Sequence, residues 1–155
     1  MAINAAHIIV ALSNLAYVYL AYWLAKKHFS YFSWILLVVA AVSTYFHLQP
    51  SSYWAYYFDI AVATVSSLII SSKLLPYVTP SPLFVFTVAV VVTSTLLWLE
   101  SGEDRETNKY VWMHSAWHIL TALGMFLLVQ CTIPTIKSGV DLGKVPLPLL
   151  AGTNL

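Results

Sequence analysis

The sequence predicts an all-α fold, a polytopic bundle of about five helices that cross a lipid bilayer. Two observations carry this. Of the 155 residues, 60% are hydrophobic and only 8% are charged, whereas a water-facing domain carries roughly a quarter charged. The few charges also leave five long apolar runs, 2–25, 29–48, 52–72, 82–99 and 110–133, each near the ~20 residues that a spanning helix needs. Segments such as 34–42 and 84–92 lack the in–out alternation of barrel strands. Helices are then the way to pair every backbone group in lipid.

The first run is followed, not preceded, by Lys26-Lys27. A cleaved signal peptide has the reverse order, so this run is read as a retained helix. Lys26–Ser30 separates it from the second helix, and Gln49-Pro50-Ser51 ends the second. Pro76, Pro80 and Pro82 break the chain between the third and fourth helices. The polar stretch Glu100–Lys109 joins the fourth to the fifth. Residues 1–133 thus make the bundle. Residues 134–155, with Gly139, Gly143, Pro146 and Pro148, are read as a loose tail.

Cys131 is alone, so no disulfide forms within the chain. The net charge of +1, with no basic cluster beyond Lys26-Lys27, speaks against a nucleic-acid partner. Five spans put Lys26, Lys27, Lys73, Lys137 and Lys144 on one side, and only Arg105 and Lys109 on the side of the N-terminus. The positive-inside rule makes the lysine-rich side and the C-terminus cytoplasmic, and the N-terminal side exoplasmic or lumenal. Tyr53, Trp54, Tyr56, Tyr57, Tyr110 and Trp112 read as an interfacial aromatic belt.

Ionisable residues inside a span are costly and mark a functional site by default. His47 near the end of the second helix, Asp59 in the third, and His114 and His118 in the fifth all fall roughly 5–14 Å below the N-terminal side at 1.5 Å per residue. His114 and His118 are four apart on one helix face and can grip one metal. Ser43 and His47 share the same spacing. Three neutral imidazoles are the ligand set of a catalytic zinc, with a fourth position for water. Asp59 is placed to orient or deprotonate such a water, and Ser43 to donate to an oxyanion. Two other readings compete. Intramembrane histidines often serve interhelical hydrogen bonding, and two histidines on facing helices can ligate haem iron. His7 is read as bonding locally, and His28 as interfacial.

The stretch from Ser43 to His47, STYFH, then Asp59, then His114 to His118, HSAWH, resembles the CREST superfamily of membrane hydrolases. That group includes alkaline ceramidases, adiponectin receptors and the myomaker/transmembrane-protein-8 branch, to which the wording is most similar. The resemblance covers roughly residues 30–134. It implies zinc held by His47, His114 and His118, with Ser43 and Asp59 around the water. The implied activity is hydrolysis of an amide or ester bond in a membrane lipid. Myomaker-like members also imply an alternative, a non-enzymatic membrane-remodelling or receptor-like protein with a structural zinc. The family has seven helices, and here one helix stands in place of three between Asp59 and His114.

Overall fold

The computed structural model describes residues 5–49, 53–101 and 107–137. It is an all-α bundle, with five spans long and apolar enough to cross a membrane. The first span is two helices, α1 (Ala5–Ser13) and α2 (Leu15–Lys26). The others are α3 (Ser30–Leu48), α4 (Tyr53–Leu74), α5 (Pro82–Ser101) and α6 (Asn108–Lys137). A single 3₁₀ turn, Leu75–Tyr77, follows α4. The tail beyond Lys137 lies outside the described residues. α6 itself runs through Pro134, so the helix outlasts the proline at which the sequence predicts the bundle to end. That stretch is anchored from the side: the Thr79 N–H donates to the Cys131 carbonyl at 3.1 Å, and the Thr135 hydroxyl to the Tyr77 carbonyl at 2.9 Å.

The first run departs from expectation in being broken at Asn14. In an unbroken helix the Asn14 N–H would donate to the Val10 carbonyl four residues back. Here it donates to Ala11 at 3.2 Å, and the Val10 carbonyl takes the Ser13 hydroxyl at 2.6 Å. Hydroxyl back-bonding of this kind bends spanning helices.

The remaining ends follow local rules. α2 stops in a Schellman motif, with Phe29 N–H on the Leu24 carbonyl at 2.9 Å and His28 N–H on Ala25 at 3.1 Å. His28 occupies the left-handed position of that motif, at φ 65°. Ser81 caps α5 by accepting the Phe84 N–H at 3.2 Å, with Pro82 at the first helical position. Thr107 caps α6 through the Tyr110 N–H at 3.1 Å.

Three elements form the centre: the broken first span, α3 and α6. α4 packs on α3, and α5 on α6. The backbones of α3 and α6 do not pack closely on each other, and side chains fill the space between them. Toward the lysine-rich end the filling is apolar. Leu20 and Leu24 of α2 meet Phe32, Leu36 and Val39 of α3, Ile70 and Leu74 of α4, and Ala122 and Val129 of α6. Toward the opposite end a smaller group, Val10, Tyr110 and Val111, closes the bundle. Ser43, His47, His114 and His118, all buried, lie between these two apolar layers. Lys73, counted with the loop charges in sequence, is buried, with its ammonium 5.7 Å from the centre of the Tyr31 ring.

α5 is the outlying helix. Its inward stripe is narrow and small: Thr87, Val90, Ser94 and Ser101 are buried. Its hydroxyls bond back to their own helix, Thr87 to Leu83 and Ser94 to Val91, both at 2.8 Å. Neither hydroxyl is thereby left bare in lipid. Gly124 of α6 lets this stripe come close, since a Cβ there would lie 3.0 Å from a methyl of Val91.

Candidate metal centre

The three histidines named from sequence meet. His47 arrives on the last turn of α3, and His114 and His118 on successive turns of α6. Each is buried, and one ligand nitrogen from each lies within 4.8 Å of the others. The rings form a near-regular triangle, with centroids 5.0 Å apart for His47–His114, 5.3 Å for His47–His118 and 5.0 Å for His114–His118. Nitrogens about 2.0–2.1 Å from one tetrahedral zinc would lie closer together than this, so an ion held by all three would draw the rings inward.

Ser43 and Asp59 join the same group. Both are buried. Ser43, one turn deeper than His47 on α3, places its oxygen 3.5 Å from Nε2 of His118. Asp59 stands beside it. α4 contributes Asp59, and no Lys or Arg among the described residues pairs with it. A buried carboxylate with no basic partner is costly inside a span, and Asp59 reaches the histidine group through Ser43 rather than as a fourth member of it.

The structure adds residues that the sequence reading missed. Ser13, from the first span, lies 2.6 Å from Nδ1 of His118. Tyr110, read from sequence as an interfacial aromatic, is instead buried and stacked on His114, with centroids 4.6 Å apart and planes 20° from parallel. Trp117 packs against both His114 and His118 at 4.8 Å. Tyr17 meets His118 edge-on at 6.0 Å. For Tyr110 a signal was available: it precedes His114 by four positions, so it shares that helix face. Ser13 carried none, because nothing in the spacing of the first run marks a contact with the last helix.

The other residues named from sequence lie apart. His28 is exposed in the α2–α3 turn, as expected. His7 is buried on α1, one turn before Val10. Trp54, Tyr57 and Trp112 are exposed, and the side chains of Tyr53 and Tyr56 lie outside the described residues. No family model, curated protein or solved structure matches the chain.

Proposed function

We propose that this chain is a zinc-dependent integral-membrane hydrolase that cleaves an amide or ester bond of a membrane lipid, in the manner of the CREST superfamily. One observation carries the reading: three buried imidazoles from two helices gather around a single position, with a Ser–Asp pair beside it. His47, His114 and His118 would hold the ion. When bound there, zinc supplies a Lewis acid and brings the ionisation of water within reach of neutral pH.

The chain's own residues do the rest. Asp59 takes the proton from the attacking water. Ser43 stands beside the Asp59 carboxylate and 3.5 Å from His118 Nε2. The two apolar layers exclude bulk water, which strengthens each charge interaction between them. The group lies near one end of the spans, at the level where a lipid headgroup meets its chains. With the lysine-rich end cytoplasmic, that level is exoplasmic or lumenal.

Haem fits this arrangement less well. Its iron offers two opposed axial positions, and the macrocycle between two of these rings would have to pass through the third, which is 5.0 Å from one and 5.3 Å from the other.

The test is metal and turnover together. Protein purified in mild detergent should carry about one zinc per chain, and His114→Ala should lose it. Asp59→Asn should keep zinc while lipid turnover falls by about 10²–10⁴-fold. A folded, zinc-loaded Asp59→Asn protein as active as wild type would end the hydrolase reading. A Soret band without zinc would end the zinc reading.

A further inference from the structure

We propose that Ser13 is a positioning residue for His118, holding the imidazole in the tautomer with hydrogen on Nδ1 and so presenting the Nε2 lone pair to the cluster. The geometry comes first. The Ser13 oxygen lies 2.6 Å from the Val10 carbonyl oxygen and 2.6 Å from His118 Nδ1. A hydroxyl has one hydrogen, and a carbonyl can only accept. The Ser13 hydrogen therefore goes to Val10, and toward His118 the serine oxygen is an acceptor. The hydrogen of that 2.6 Å contact must come from Nδ1. A neutral imidazole carries one hydrogen, so Nε2 keeps its lone pair. That lone pair is on the side of Ser43, 3.5 Å away.

The broken first span and the oriented ligand are one device. The Val10 carbonyl is open to Ser13, and Ser13 to His118, because the Asn14 N–H has turned to Ala11 instead. Had the helix continued, that carbonyl would be occupied by its own ladder. α1 thus contributes to the centre without supplying a ligand. It fixes which nitrogen of a residue on α6 faces the metal. Partners of this kind typically change metal affinity by about 10–100-fold.

The consequence for affinity rests on the zinc reading, while the tautomer does not, and the experiment separates them. Full-length protein labelled with ¹⁵N-histidine is examined metal-free in detergent micelles, with the His118 signals assigned by their loss in His118→Gln. Wild type and Ser13→Thr should give the Nδ1–H form. Zinc affinity, measured by competition with a chelator, should be about 10–100-fold weaker in Ser13→Ala and recover in Ser13→Thr. An Nε2–H form in wild type overturns the proposal. So does a Ser13→Ala protein that binds zinc as tightly as wild type. If wild type takes up no zinc, the zinc reading fails, and the tautomer alone decides for or against Ser13.

Discussion

Tyr110 lies flat against the imidazole of His114, with ring centroids 4.6 Å apart. Both leave the same face of α6, one turn apart, and the tyrosine is itself packed against Val10 and Val111. The imidazole cannot rotate without displacing that ring. Offset stacking adds about 0.5–1.5 kcal/mol to the burial of such a pair. Tyr110→Ala should therefore weaken zinc binding by about 3–10-fold, measured by chelator competition. Tyr110→Phe, which keeps the ring, should bind zinc as wild type does.

His28 takes a left-handed backbone conformation at φ 65° in the α2–α3 turn. That conformation costs a residue with a Cβ roughly 1–2 kcal/mol, and glycine adopts it freely. The side chain is exposed, so its removal leaves no cavity. His28→Gly should raise the thermal midpoint in detergent by a few degrees, a gain of about 1 kcal/mol. Zinc content should not change.

α5 packs on α6 and supplies no residue to the cluster. Gly124 marks a close approach of the two helices, since a Cβ added there would meet Val91 at 3.0 Å. Gly124→Leu should push α5 away and lower thermal stability by about 1–3 kcal/mol, the usual cost of overpacking. Val91→Ala in the same protein should restore part of the loss. Limited proteolysis of the connections flanking α5 should accelerate, while zinc stoichiometry holds. Loss of zinc in step with α5 docking would contradict the separation of this helix from the site.

Orientation is testable with single cysteines, since Cys131 is buried and the native chain has no other. Glu100, at the end of α5, is exposed and pairs loosely with Lys109 at 3.4 Å, and Lys27 is exposed at the other end of the bundle. An impermeant thiol reagent on intact cells should label Glu100→Cys and spare Lys27→Cys. The reverse pattern would move the histidine cluster to the cytoplasmic side.

The spans and the histidine triangle were legible in the sequence for the same reason. In lipid a charge or an imidazole is expensive, so the few that occur stand out against 60% hydrophobic residues. Alternating helix direction then brings His47, Asp59, His114 and His118 to one level without any knowledge of side-chain packing. What depends on packing was not legible. Tyr110 looks like any interfacial tyrosine until its ring is seen against His114. The break at Asn14 has no proline or glycine to announce it; a serine bonding back to its own helix also occurs in unbroken helices, and the contact with His118 that accompanies it is tertiary.

That break has a consequence for assembly. Ser13 enters the membrane 105 residues ahead of its partner on α6. Until α6 is inserted, the Val10 carbonyl is contested only from within the first span, by the Ser13 hydroxyl three residues on. Docking α6 adds the contact of Ser13 with His118, which the bent segment alone presents. The curvature of the first span is thus seeded locally and fixed when the final helix docks.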